Sequence, residues 1–84
     1  MHINGYKVHD LKLVIDGRGK LVEADRPCEI CLGSKAKVVK VLLRKRTWIR
    51  ARLCEKCLID GGMFLDVEDL AEEIAQISGD RGRG

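Results

Sequence analysis

Two pairs of cysteines constrain this chain more than any other feature of its sequence. Cys28 and Cys31 are separated by two residues, as are Cys54 and Cys57, and these are the four cysteines of the chain. Two residues between cysteines let both sulfurs of a tight turn point at one ion, and two such turns supply four thiolates in a tetrahedron. The spacing therefore predicts one Zn²⁺ per chain. A site with four protein ligands is closed, so we expect this metal to stabilise the fold rather than to activate water.

Paired cysteines have two other uses in proteins. Disulfides occur in small secreted domains, but residues 1–16 are charged and lack the continuous apolar core of a signal peptide, which favours a cytoplasmic address. The scarcity of Asn and Gln is typical of thermophiles, archaea among them, in which intracellular disulfides persist. Single-iron sites of the rubredoxin type also use two such pairs. Their aromatic cores do not match a chain whose only rings besides histidine are Tyr6, Trp48 and Phe64.

The length of 84 residues fits a single domain. A domain this small buries little apolar surface, so a metal that crosslinks it contributes usefully to stability. No apolar run approaches the roughly 18 residues that span a membrane, and no lipidation signal is visible. We therefore expect a soluble protein without a membrane partner.

Charge is unevenly distributed, although the net charge is only +3. Residues 35–52 carry eight basic side chains and no acidic one, whereas residues 53–80 carry eight acidic side chains and one basic one. A protein with this polarity can attract polyanions with one face and repel them with another.

Residues 1–26 are predicted to form an N-terminal hairpin. Apolar and polar residues alternate between Tyr6 and Ile15, with a change of phase near His9-Asp10 where we expect a bulge or a turn. Two glycines favour a turn at residues 16–19, and Leu21-Val22 then begins the returning strand.

Residues 28–57 are predicted to form a zinc-bound hairpin. Its strands cover residues 35–43 and 47–53 and are joined near residues 44–46. One face of the second strand carries Trp48, Arg50 and Arg52, and the other carries Thr47, Ile49, Ala51 and Leu53. One face is therefore basic and aromatic and the other is apolar. Trp48 itself has two interpretations, a core residue or an exposed platform.

Residues 66–78 are predicted to form an amphipathic helix. The Asp66 carboxylate can cap the amide of Asp69, and Leu65 can pack on Leu70 as a hydrophobic staple. The apolar stripe consists of Val67, Leu70, Ala71, Ile74 and Ile77.

Gly79 is expected to stop this helix, and residues 80–84 to form a disordered tail. The chain is thus a small α+β domain over residues 1–79, built from zinc-stabilised hairpins and one C-terminal helix.

The order of a cysteine turn, a β-hairpin, a second cysteine pair and a helix resembles that of treble-clef zinc fingers, and zinc ribbons are their close relatives. The resemblance covers residues 28–77 and implies that the four cysteines are the metal ligands. In a treble clef the second pair lies at the start of a helix, which residues 53–60 could form. Gly61-Gly62 leaves open whether one helix is broken here or a ribbon is followed by a separate helix. Such domains occur in ribosomal proteins, transcription factors, polymerase subunits and chaperone adaptors, so the fold does not choose a function.

Nucleic-acid binding is the first functional hypothesis, with the chain acting as a transcription regulator or a ribosome-associated factor. Uncompensated cations on RNA or DNA release phosphate counterions, and Trp48 beside two arginines offers a surface for a base. The predicted contacts are Lys35, Lys37, Lys40, Arg44, Lys45, Arg46, Trp48, Arg50 and Arg52.

A protein-interaction module is the second hypothesis. Glu68, Glu72 and Glu73 could fold back over the basic hairpin of the same chain, or face the hairpin of a second copy in a homodimer. The exposed helix face could equally dock on a larger assembly.

Catalysis is the least favoured hypothesis. A catalytic zinc needs an open position and a nucleophile needs a positioned base, yet the only histidines, His2 and His9, lack metal-ligand spacing to a cysteine pair. We predict no catalytic residue and no small-molecule substrate.

Overall fold

A computed structural model describes the backbone of residues 1–82 and the side chains of residues 1–77. The elements are β1 (His2–Ile3), β2 (Tyr6–Lys7), β3 (Asp10–Leu13), β4 (Lys37–Arg44), β5 (Thr47–Leu53), α1 (Glu55–Asp60) and α2 (Val67–Gly82). β1 and β2 form one antiparallel sheet, and β3, β4 and β5 form a second with β4 in the middle. The chain is therefore a small α+β protein. Neither helix in the described part of the chain has the length and apolar character to cross a membrane.

The N-terminal region departs from the single hairpin that the alternation predicts. A first hairpin already turns at Asn4 and Gly5, whose φ angles of 52° and 82° suit a two-residue turn between β1 and β2. The predicted turn at residues 16–19 is also present, and the Asp16 carboxylate holds it by accepting hydrogen bonds from the amides of Arg18 and Lys20. These amides, that of Lys20 first, lower the pKa of Asp16. Beyond the turn, Ile15 meets Leu21 in only an isolated bridge.

The strand β3 pairs with β4 instead of with the segment that follows it. Leu11 lies opposite Val41 and Leu13 lies opposite Val39. A two-stranded hairpin is marginally stable in water, whereas a third strand on a larger sheet can bury its apolar side. Pairing with β4 brings Leu11 and Leu13 against the core.

The second hairpin forms as predicted, and its second strand has the predicted alternation of faces. Val39, Val41, Ala51 and Leu53 point to one side and are almost completely buried. They share one core with Leu58 of α1 and Leu70 of α2, so both helices pack on this inner face of the sheet. The opposite face, which we call the outer face, carries Asp10, Lys12, Val38, Lys40, Leu42, Trp48, Arg50 and Arg52.

Gly61 and Gly62 separate the two helices. A Cβ atom on Gly61 would overlap the thioether methyl of Met1 and lie 3.0 Å from the carbonyl oxygen of Cys57, and Gly62 has a φ of 81°. The first glycine allows close packing and the second takes a backbone conformation that other residues avoid. The helix that starts at the second cysteine pair is therefore short, and α2 is a separate element.

The start of α2 is capped as expected, but the predicted staple is wrong. The amide of Asp69 donates to the Asp66 carboxylate at 2.9 Å. Leu65 is 89% exposed, and Phe64 packs against the core instead. The chain turns so that only one of two neighbouring apolar side chains can face inward.

The apolar stripe of α2 is only partly used. Leu70 is buried and Ile74 packs against the core, whereas Val67 and Ala71 are exposed. The helix also continues past Gly79 to Gly82 rather than ending at residue 78, so it includes the start of the predicted tail. One glycine inside a helix costs only about 1 kcal/mol relative to alanine, which is not enough to end it by itself. Residues 83–84 lie outside the described part of the chain.

Candidate metal centre and basic sheet face

The first cysteine pair lies in a tight turn closed by backbone hydrogen bonds. The amide of Leu32 donates to the carbonyl oxygen of Cys28 at 3.0 Å, and the amide of Cys28 donates to that of Gly33 at 3.0 Å. The amide of Gly33 donates to the sulfur of Cys31 at 3.4 Å. Leu32 adopts a positive φ of 59° to make this turn. The result is that both sulfurs leave the turn on the same side.

The second cysteine pair lies at the start of α1. Cys54 is the N-cap of the helix, and its sulfur accepts a hydrogen bond from the amide of Cys57 at 3.4 Å. An N-cap side chain lies beside the first free amides of a helix, so this position suits a negatively charged thiolate. Cys57, one turn further on, is buried beside it.

The two pairs bring all four sulfurs together. The sulfurs of Cys28 and Cys57 are 3.5 Å apart, those of Cys31 and Cys54 are 3.6 Å apart, and all four lie within 4.8 Å of one another. A zinc–sulfur bond of about 2.3 Å places the sulfurs of a regular tetrahedron about 3.8 Å apart. A disulfide would need about 2.05 Å, and all four cysteines are free. The cluster therefore fits one shared metal ion better than two disulfides.

Electrostatics in the cluster favour a cation. Burial alone would raise the pKa of the Cys28 thiol, but hydrogen bonds from the amides of Cys31, Cys54 and Ile30 lower it to about 6. Burial raises the pKa of Cys57, and the neighbouring thiols raise it further. Burial also raises the pKa of Cys54. Without a cation the cluster thus keeps some of its protons, and a bound metal would release them.

Glu29, between the first two cysteines, ties their turn to β5. Its amide donates to the carbonyl oxygen of Arg52 at 2.8 Å, and its carboxylate accepts from the amide of Arg52 at 2.8 Å. The guanidinium of Arg52 lies 3.7 Å from the same carboxylate. The cysteine cluster and the hairpin are therefore one connected unit, and the charge of Arg52 is partly compensated.

The outer face carries a row of three cations on adjacent strands. Lys12 of β3 lies opposite Lys40 of β4, and Lys40 lies opposite Arg50 of β5. Directly opposite side chains have Cβ atoms about 4.5–5.5 Å apart, and like charges in such pairs destabilise a sheet. All three side chains are exposed, and no described carboxylate pairs with them.

Trp48 lies beside this row. It is 37% exposed and faces Leu42 across the β4–β5 pair. The ammonium of Lys12 lies 4.7 Å from the centre of its ring, so the side chain of Lys12 reaches over β4. Trp48 is therefore exposed in the structure and is not a core residue.

The other predicted contact residues are divided among three places. Arg44, Lys45 and Arg46 are exposed at the end of the hairpin, where the Arg44 guanidinium lies 5.4 Å from the ring centre of Tyr6. Lys35 is exposed in the loop before β4. Lys37 points away from the outer face and forms an ion pair with Glu23 at 3.0 Å, so it does not belong with the cations of that face.

Lys12 is the residue that the sequence interpretation missed. Its alternation with Leu11 and Leu13 predicts a strand with one polar side. The alternation does not say which other strand pairs with it. Only the pairing of β3 with β4 brings it to Lys40.

The acidic helix lies away from the cations. Among the described side chains, none of the α2 carboxylates forms an ion pair with the hairpin, and α2 packs through Leu70 on the inner face. Glu68, Glu72 and Glu73 therefore do not fold back over the basic hairpin of their own chain, because the apolar stripe of α2 docks on the opposite side of the sheet.

These features define a small α+β domain in which four cysteines are positioned to bind one metal ion. Comparison with protein-family models, with curated protein sequences and with solved structures finds no match to the chain.

Proposed function

We propose that the ion is Zn²⁺, held by Cys28, Cys31, Cys54 and Cys57 in a domain of the treble-clef type. The cysteine turn, the hairpin and the N-capping cysteine of a following helix occur in the order that this family uses. Four thiolates leave no position for water, so the metal would crosslink the fold. Metal analysis and the visible spectrum test this proposal, because an iron–thiolate site would be coloured and a zinc site would not.

We propose further that the chain binds RNA or DNA through the basic hairpin. The observation that carries this proposal is the row of Lys12, Lys40 and Arg50, in which Lys40 lies opposite a cation on each neighbouring strand and none of the three forms an ion pair with a described carboxylate. Such a row costs stability in the free protein, and a polyanion would remove that cost. Regulation of transcription and association with the ribosome are the settings that we propose for this binding.

Fluorescence anisotropy with labelled RNA and DNA oligonucleotides at several salt concentrations tests nucleic-acid binding. We expect micromolar or tighter binding that weakens steeply as salt rises, because released counterions drive it. Replacing Arg44, Lys45 and Arg46 together by alanine should weaken binding and flatten the salt dependence while zinc content stays the same. An unchanged salt dependence of the affinity would show that the end of the hairpin does not contact the nucleic acid. Failure of the folded, zinc-loaded protein to bind at low salt would contradict the proposal itself.

A protein partner is a second candidate, and the exposed apolar residues around the start of α2 favour it. Leu65 and Val67 lie on either side of the capping residue Asp66, and both are exposed. Analytical ultracentrifugation of the wild-type chain and of Leu65→Ser tests the homodimer form: a dimer that the substitution dissociates would support it.

A further inference from the structure

We infer that the outer face binds a single-stranded nucleic acid, with one base stacked on Trp48 and phosphates held by Lys12, Lys40 and Arg50. This inference rests on the proposed nucleic-acid binding and specifies the form of the ligand. It also adds Lys12, which lies outside the basic segment of the sequence.

The arrangement of the face supports a ligand that has both charge and exposed rings. The three cations cross the sheet in one row, and Trp48 lies next to that row on the edge strand. A polyanion without rings would satisfy the cations alone. A nucleic acid satisfies the cations with its phosphates and the indole with a base, which is how sequence-tolerant single-strand binders work.

The outer face is the surface of a sheet from which neither described helix projects, and this favours single strands over duplexes. Bases inside a duplex are stacked on both sides, so they offer no free ring to an indole on such a surface. A groove reader needs an element that projects into the groove, usually a helix. Both helices here pack on the inner face, and α2 is acidic.

Lys12 occupies the place of the base in the free protein. Its ammonium lies 4.7 Å from the indole centre, in a cation–π contact that changes an equilibrium only about twofold to fivefold at an exposed site. Stacking one base is worth about fivefold to 150-fold. A base therefore displaces Lys12 from the ring, and the released ammonium can contact the adjacent phosphate.

The intrinsic fluorescence of the zinc-loaded full chain tests this inference, because Trp48 is the one tryptophan. Oligothymidylate and oligouridylate of equal length should both quench it, since neither the phosphates nor the base faces depend on the sugar. Inorganic polyphosphate, which has charge and no rings, should bind with salt dependence but leave most of the emission. A matched duplex should bind more weakly than either single strand.

Variants separate stacking from charge. Trp48→Leu should weaken binding of the labelled single strands about fivefold to 150-fold and leave polyphosphate binding unchanged, while Trp48→Phe should restore most of the loss. Lys12→Gln should keep the quenching and reduce the salt slope by about 0.7, the value for one phosphate on a single strand. Tyr6→Leu is the matched control, because it removes another exposed aromatic residue with a neighbouring cation at the end of the hairpin.

The outcomes distinguish this inference from the proposal on which it rests. Salt-dependent binding with no quenching, or with equal affinity for the duplex, would overturn the single-strand assignment and leave nucleic-acid binding intact. Equal weakening by Tyr6→Leu and Trp48→Leu would overturn the role of Trp48. Absence of binding to every polyanion at low salt would overturn both. Equal zinc content and circular dichroism across the variants would show that each is folded.

Discussion

Gly33 closes the first cysteine turn, and its backbone and its missing side chain both matter there. Its carbonyl oxygen accepts from the amide of Cys28, and its own amide donates to the sulfur of Cys31. A Cβ atom at this position would lie 3.2 Å from that sulfur, closer than ordinary contact allows. Because the sulfur must keep its position to reach the metal, it can move away only by weakening the site.

We therefore predict that Gly33→Ala lowers both metal affinity and stability. The crowding should cost about 1–3 kcal/mol, the range for overpacking a site that cannot relax. Competition with a chelator and thermal denaturation of the zinc-loaded protein measure the two effects. Gly17→Ala is the control, because a Cβ there meets no atom within 4 Å and should change stability by less than about 0.5 kcal/mol. Equal behaviour of the two variants would show that the Cys31 turn tolerates a side chain.

The middle strand β4 carries both the best-buried side of the sheet and its least favourable charges. Val39 and Val41 point into the core, while Lys40 between them lies opposite a cation on each neighbouring strand. Successive side chains of a strand point to opposite faces, so when Val39 and Val41 point into the core, Lys40 between them must point to the outer face. The repulsion on the outer face is thus a cost that packing of the inner face offsets.

We predict that Lys40→Thr stabilises the protein and weakens its binding to nucleic acid. Removing the two repulsive pairs should raise the free energy of unfolding by about 0.2–1 kcal/mol at low salt. The gain should shrink in 1 M salt, where the screening length falls to about 3 Å. Chemical denaturation at two salt concentrations measures both values. Lys37→Thr has the same change in strand propensity but loses the ion pair with Glu23, so it should not stabilise. A salt-independent gain shared by both variants would show that propensity, and not repulsion, is responsible.

The cysteine cluster is a second link between the first cysteine turn and the rest of the chain, beside the hydrogen bonds between Glu29 and Arg52. It connects the turn at residues 28–33 with the start of α1, and two of its cysteines, Cys28 and Cys57, belong to the same core as the inner face of the sheet. Structural Zn²⁺ binds zinc-finger peptides with about 10–16 kcal/mol, whereas a whole domain is stable by about 5–15 kcal/mol. The free energy of metal binding is therefore large enough to decide whether the middle of the chain folds.

We predict that metal removal unfolds residues 28–57, whether by a chelator at neutral pH or by acid. Protons compete with the metal for the sulfurs, and the raised pKa values of Cys54 and Cys57 mean that metal binding releases protons. Affinity should therefore rise with pH and be lost as the pH falls. Circular dichroism and zinc release, followed together during acidification, should show one transition. Cys54→Ser should already be unfolded over residues 28–57 at neutral pH, so it should show no transition during acidification. Full thermal stability of that variant would contradict the structural role of the metal.

Much of the metal site could be predicted from the sequence because its determinants are local. Two residues between cysteines define a turn, so the spacing alone predicts that the four sulfurs can meet around one point, and in the structure they lie within 4.8 Å of one another. The β4–β5 hairpin, its alternating faces and the Asp66 cap are local in the same sense. The packing of Phe64 in place of Leu65 was not predictable in this way, because either residue satisfies the apolar pattern.

What the sequence by itself determined is the set of clustered cysteines, the hairpin between them and the segment of positive charge. Only the tertiary structure decided which charges share a surface. The partner of β3 is a strand more than twenty residues away in the sequence, and that pairing adds Lys12 to the outer face while the pleat turns Lys37 away from it. The physical reason is that local spacing fixes the side of a strand on which a residue lies, whereas the neighbour of that strand is chosen by the burial of its apolar side in a common core.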